Sequence, residues 1–139
     1  MQKQTFTYST YIHTTPEQLW EALTSSQFTK QYWAGTEFET DWKPDSPIKI
    51  NGLRGEKIGK VITVDPPKVL SYTGIGGPDS AVTFEIIPLL PNQVRLNVTH
   101  EDIEPELSKR AAEGWYAFMS SLKTLLETGS ALDFSWWRG

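Results

Sequence analysis

Only two side chains in this 139-residue sequence, His13 and His100, ordinarily exchange a proton near neutral pH, so acid–base or metal chemistry would have to start from them. Cysteine is absent, which excludes a thiolate nucleophile, a disulfide framework and any Cys-ligated zinc or iron–sulfur centre. A metal site would need both histidines to converge with carboxylates, and their spacing shows no such pattern, so no metal or other cofactor is expected. His13 falls where an extended segment meets a helix start, a place for a capping or surface role. His100 continues the phase of Val94, Leu96 and Val98 and sits beside Glu101. It reads first as a structural histidine and second as a general base.

Other candidate motifs fail on context. Gly55-Glu56-Lys57-Ile58-Gly59-Lys60 is one residue short of a phosphate loop and is followed by Val61, where a Ser or Thr would have to hold magnesium. Gly74-Ile75-Gly76-Gly77 separates two strands instead of opening a helix, so it is a hairpin and not a dinucleotide fingerprint. Asn97-Val98-Thr99 matches a glycosylation acceptor inside a strand. No serine occupies a nucleophile elbow and no carboxylate pair stands out as an acid–base couple.

What remains is a set of rings: 6 Trp, 5 Tyr and 6 Phe, an aromatic content above that of an ordinary domain. Trp33, Trp42, Tyr72, Phe84, Trp115, Phe118 and Met119 come from separate elements, and several rings with polar tips suit an amphipathic ligand held by stacking and a few hydrogen bonds. With His100, and with Arg54 placed to meet an anionic group at the mouth, they are the candidate ligand-binding residues. Core filling is the competing role for each ring.

The elements that must position these residues are legible from periodicity. Thr5 to Ile12 alternates as a half-buried strand, with Phe6, Tyr8 and Ile12 in one phase. Thr15-Pro16-Glu17-Gln18 offers a capping hydroxyl, a proline for the first turn and a Gln to close a capping box. A helix carrying Leu19, Trp20 and Leu23 follows, then a second short helix over Gln27 to Trp33. Six short strands come next, near Thr36 to Asp41, Ile48 to Asn51, Lys57 to Val64, Val69 to Thr73, Ala81 to Pro88 and Gln93 to His100, separated by Gly, Pro, Asn and Asp turns. Val82, Phe84 and Ile86 share one face, as do Val94, Leu96 and Val98. The acidic run Glu101 to Glu106 leads into an amphipathic helix over about Ser108 to Thr128, roughly 31 Å long, with Gly129 as its left-handed cap and the acids complementing its dipole. Gly114 in mid-helix costs about 1 kcal/mol against Ala, which points to room being made beside Trp115. Residues 130–139 form a tail with Phe134, Trp136 and Trp137 that periodicity does not place.

This order predicts one α+β domain spanning 1–139, an antiparallel sheet of about six or seven strands curled around the C-terminal helix with a pocket in the gap. The formal charge of −4 and pI near 5.2 argue against a nucleic-acid partner, and the lack of a signal-like or membrane-spanning apolar run predicts a cytoplasmic protein.

The stretch from Tyr11 to Thr24, reading Tyr-Ile-His-Thr-Thr-Pro-Glu-Gln-Leu-Trp-Glu-Ala-Leu-Thr, resembles the opening signature of AHSA-type domains, the activator of Hsp90 ATPase homologues, in the START-like (SRPBCC) helix-grip superfamily. The resemblance runs on through Trp33, Gly59-Lys60-Val61-Ile62, Pro66-Pro67, Leu70 to Thr73, Val82 to Glu85, Val98 to His100 and Gly114-Trp115, covering about Phe6 to Gly129. Where the family often has a Gly-Gly pair before its second strand, this chain has Asp45-Ser46-Pro47-Ile48. The resemblance implies a helix-grip fold enclosing a deep, mainly apolar cavity. Lipid or polyketide carriers, cyclases, hydratases and a co-chaperone domain share that fold, so function must come from the site. The favoured expectation is a non-enzymatic module binding a small hydrophobic or aromatic ligand, lipid-, polyketide- or flavonoid-like. The alternatives are a cyclase- or hydratase-like enzyme using His100, Tyr72 or Glu85, and an Hsp90-associated stress-response protein with a chaperone partner.

Overall fold

Alternation and turn chemistry divide the chain as β1 (Gln4–Ile12), α1 (Pro16–Thr24), α2 (Ser26–Tyr32), β2 (Glu37–Glu39), β3 (Pro47–Gly52), β4 (Gly55–Asp65), β5 (Val69–Thr73), β6 (Ala81–Leu90), β7 (Gln93–Ile103) and, after a 3-10 turn at Pro105–Leu107, α3 (Ser108–Thr128). A computed structural model describes residues 2–52 and 55–136 of this chain. The strands form one seven-stranded sheet in the order β1-β7-β6-β5-β4-β3-β2, antiparallel at every pairing. Its inner face wraps α3, and α1 and α2 close the remaining side.

The helix ends follow their local chemistry. Thr15 caps α1 by accepting from the Gln18 N–H at 3.1 Å, while the Gln18 side-chain oxygen takes the Thr14 hydroxyl at 3.0 Å instead of completing a capping box. Gly129 ends α3 at φ 89°, its N–H bonded to the Leu125 carbonyl at 2.8 Å. The acidic run does not lead the helix as expected: its first residues prolong β7, and the first turn of α3 carries no acid. The reason is a bulge. Register passes from Phe6 opposite His100 to Gln4 opposite Ile103, with Asp102 at φ 56°, so Ile103 and not Asp102 points into the core.

Inward phases build that core. Val82, Phe84 and Ile86 of β6 and Val94, Leu96, Val98 and His100 of β7 are all buried, facing Trp115, Met119, Leu122 and Leu125 of α3. The Asp45-Ser46 turn closes without glycine because Asp45 adopts φ 69°, a region Asp tolerates, and the turn bonds twice to Val61 through Asp45 N–H and Ser46 C=O, each at 2.9 Å.

The tail has a defined course as far as Trp136. Its Leu132 N–H bonds the buried Ser121 hydroxyl at 3.1 Å, and Phe134 meets Phe118 edge-on with ring centres 5.2 Å apart. It therefore folds back along α3. Trp137 lies outside the described residues.

Candidate ligand-binding cavity

The first wall of a cavity is set where α2 stops. Ala34 at φ 49° and Gly35 at φ 79° turn the chain sharply, so that Trp33 enters the interior and Thr36 starts the next segment. This corner is clamped from α2: the Thr29 hydroxyl donates to the Thr36 carbonyl at 2.8 Å, and the Ser26 hydroxyl both donates to and accepts from the Phe38 backbone at 3.0 and 2.8 Å. Trp33 is only 8% exposed and touches Tyr32, Phe38, Trp115 and Phe118. The second wall is α3 with the end of the 3-10 turn before it, where Leu107, Ala111, Gly114 and Phe118 recur at helical spacing beside Trp115 and Arg110. The β3–β4 hairpin supplies Ile50, Gly52, Gly55 and Lys57, and Ile75-Gly76 makes the floor. Together with Ala34 and Thr36 they border a pocket of about 180 Å³ that opens to solvent. Lys57 and Arg110 are exposed and so stand at the rim.

The floor is held by His100. The Trp115 indole N–H donates to His100 Nδ1 at 2.9 Å, which requires that nitrogen to be unprotonated. The proton is therefore on Nε2, which donates to the Ile75 carbonyl at 2.7 Å. Gly76 makes this approach possible: at φ 82° it lies so close that a Cβ would come within 2.8 Å of the imidazole. Burial holds the His100 pKa below the ordinary histidine value, the Ile75 carbonyl opposes the shift, and the Lys57 charge adds to it. Both ring nitrogens are engaged, so His100 has no lone pair to offer a ligand proton. The general-base alternative for His100 is corrected on this ground, and its work is to fix the Trp115 ring and the Ile75-Gly76 floor.

Of the residues singled out from sequence, Trp33, Trp115 and Phe118 line the cavity. Trp42, Tyr72, Phe84, His100 and Met119 do not. Trp42, at φ 56°, donates its indole N–H to the Thr24 carbonyl at 2.9 Å and packs on Phe38 and Tyr72. Phe84 fills the space between Tyr72 and Trp115, and Met119 is fully buried. Tyr72 is also fully buried, and its hydroxyl has no hydrogen-bond partner among the described residues. Burial pushes its pKa up, as does the neighbouring Tyr32. Glu85 is exposed on the outer face. Arg54 lies outside the described residues. His13 is exposed, and its backbone N–H bonds Glu127 at 2.8 Å, as a junction role implies; Lys123 joins the same carboxylate at 2.7 Å and the Tyr11 carbonyl at 2.7 Å. No group of His, Asp and Glu able to hold a metal occurs among the described residues.

The lining that sequence reasoning missed is mostly small or cationic: Gly52, Gly55, Gly76, Ala111, Lys57 and Arg110. Gly114 carried a signal, a glycine inside a strong helix. The others gave none, because the absence of a side chain marks a cavity only once the surrounding elements are in place.

With the geometry described, the chain can be set beside known proteins. The family model for activator of Hsp90 ATPase homolog 1-like proteins matches residues 13–127. The chain belongs to that family. No curated protein matches it. Among solved structures, the Aha1 dimer from Colwellia psychrerythraea superposes with a TM-score of 0.78 at 22% identity, covering 91% of this chain and 98% of the other. A protein from Mesorhizobium loti gives 0.75 at 26% identity over 89% and 97%, and an HSP90 activator from Plasmodium falciparum gives 0.74 at 21% identity over 88% and 96%. The helix-grip architecture of this AHSA1-type domain is thereby shared with its neighbours. Within it, the Tyr11-to-Thr24 stretch builds the end of β1 and α1, away from the cavity, whereas the Gly114-Trp115 pair lies in the cavity wall. No helix among the described residues is long and apolar enough to cross a membrane.

Proposed function

We propose that this AHSA1-type domain binds a small apolar or aromatic ligand in the cavity bounded by α3, the end of α2, the β3–β4 hairpin and the Ile75-Gly76 floor. The observation that carries the reading is a space of about 180 Å³ left where Gly52, Gly55, Gly76 and Gly114 present no side chain, next to the indoles of Trp33 and Trp115. An apolar cavity of about 150 Å³ accommodates benzene, and drug-sized ligands occupy roughly 300–1,000 Å³. The favoured ligand therefore has one ring or two, smaller than a flavonoid or a diacyl lipid. His100, held on both nitrogens, supplies no free acid or base at this wall, which favours binding over cyclase- or hydratase-like catalysis.

The test is a titration of the full chain with toluene, phenol and naphthalene, followed by the NMR signals of the tryptophan indole N–H groups. Saturable shifts at Trp33 and Trp115 are expected, lost in Gly114→Leu, whose side chain would fill the space. An absence of saturable change with all three probes would sink the reading.

Association with Hsp90 is a second reading, favoured by the family match and by the structural neighbour described as an HSP90 activator. A stoichiometric complex with an Hsp90 middle domain is its expected result, and a pull-down without such a band excludes it.

A further inference from the structure

We infer that the ligand of this cavity carries an anionic group, held at the mouth between Lys57 of β4 and Arg110 of α3. The inference rests on the cavity reading above and goes beyond it by assigning the ligand its charge. The chain as a whole is acidic, with 17 Asp and Glu against 13 Lys and Arg, yet the lining residues include two cations and, among the described residues, no carboxylate. The two cations stand on different walls, one on the hairpin and one on the helix, so an anion between them would meet both while an apolar body reached the rings behind.

Arg110 occupies an electrostatically poor position for a stable helix. It lies in the first turn of α3, where the helix dipole disfavours a positive charge; that turn itself carries no acid, and Glu106 stands in the 3-10 turn before it. Among the described residues Arg110 takes part in no ion pair. No ion pair explains it, whereas a bound anion would supply one at a helix end that disfavours an unpaired cation. Lys57 lines the pocket from the hairpin, and its charge is felt as far as the buried His100 imidazole, whose pKa it helps to lower. Charges beside a wall of low polarizability act more strongly than in water, so even exposed cations at such a rim can select a ligand. They also orient it, ring inward and anion outward, as the few polar groups of an otherwise apolar pocket do.

Matched probes test the charge separately from the ring. Phenylacetate, phenyl phosphate and phenylacetamide share one ring and differ in the head; each is titrated into the full chain at low salt by calorimetry. The two anions should bind about tenfold or more tightly than the amide, with the preference shrinking at high salt as exposed charges are screened. The Lys57→Gln/Arg110→Gln variant, altered only at exposed positions, should bind all three alike. The stronger of the two anions would identify the head as carboxylate or phosphate. Equal binding of acid and amide by the unaltered chain would overturn the anionic assignment and leave the apolar-ligand reading standing. Failure of all three to bind would overturn both. A preference that survives in the double variant would overturn the assignment to Lys57 and Arg110.

Discussion

The gap between α3 and the sheet has two halves that treat aromatic residues in opposite ways. In one, Phe38, Trp42, Tyr72 and Phe84 meet ring against ring, with neighbouring centres 5.6 to 6.1 Å apart, beside the fully buried Met119. In the other, Ala34, Gly52, Gly55, Gly76, Ala111 and Gly114 leave a hollow. Trp33 and Trp115, 5.6 Å apart, form the partition, each touching a ring of the packed half. Aromatic abundance is therefore the signature of the packed half. The hollow comes from missing side chains, with just enough rings on its edge to give a ligand something to stack on.

The partition is where that contrast breaks most easily. Trp115→Ala should cost about 3–5 kcal/mol in urea denaturation, because it opens the packed half into the hollow and leaves His100 Nδ1 buried without its donor. An effect below about 1 kcal/mol would show that the two halves do not depend on a shared wall. A smaller effect concerns the histidine beneath it. Because burial depresses the His100 pKa, the unfolded chain binds more protons than the folded one once pH drops below about 6.5, so this contribution is complete above that pH and is lost on acidification. Stability should fall between pH 6.5 and 5 with a slope of at most about 1.4 kcal/mol per pH unit from this group. His100→Asn, which keeps an acceptor for the indole, should flatten that slope.

Two gentler substitutions sharpen the contrast from either side. Gly114→Ala should raise stability by up to about 1 kcal/mol through helix propensity, since the added Cβ meets only the Phe118 ring at ordinary contact, 3.4 Å, while the smaller cavity weakens toluene binding. Gain in stability with loss of affinity is the pattern of a glycine kept for space. Tyr72→Phe removes a buried hydroxyl that has no partner among the described residues, so thermal unfolding should show no loss, or a gain below about 1 kcal/mol. A marked loss would mean that the packed half holds a polar contact at Tyr72.

The elements themselves were plain in the chain. Period-two runs marked β6 and β7, period-three-to-four runs marked α3 to within its observed ends, and Gly129 marked its stop. The failures lie where two elements meet. The bulge that assigns Ile103 to the core depends on β1 lying beside β7, and it converted a presumed helix lead-in into strand. His100 looked available for chemistry because its partners, Trp115 and the Ile75 carbonyl, are distant in sequence. Trp42, Tyr72, Phe84 and Met119 are candidates on ring or sulfur character alone, and neighbours from other elements bury Tyr72, Phe84 and Met119 and partly bury Trp42.

The sequence by itself determined the order of strands and helices and the α+β class, because local periodicity, capping and turn chemistry act within a few residues and repeat along the chain; its resemblance to AHSA-type domains added the helix-grip arrangement. Only the tertiary structure decided which rings pack and which face a hollow, since a cavity is defined by what several distant segments leave unfilled. The same holds for Lys57 and Arg110, ordinary surface cations in the sequence, which share a rim because the hairpin and α3 converge there.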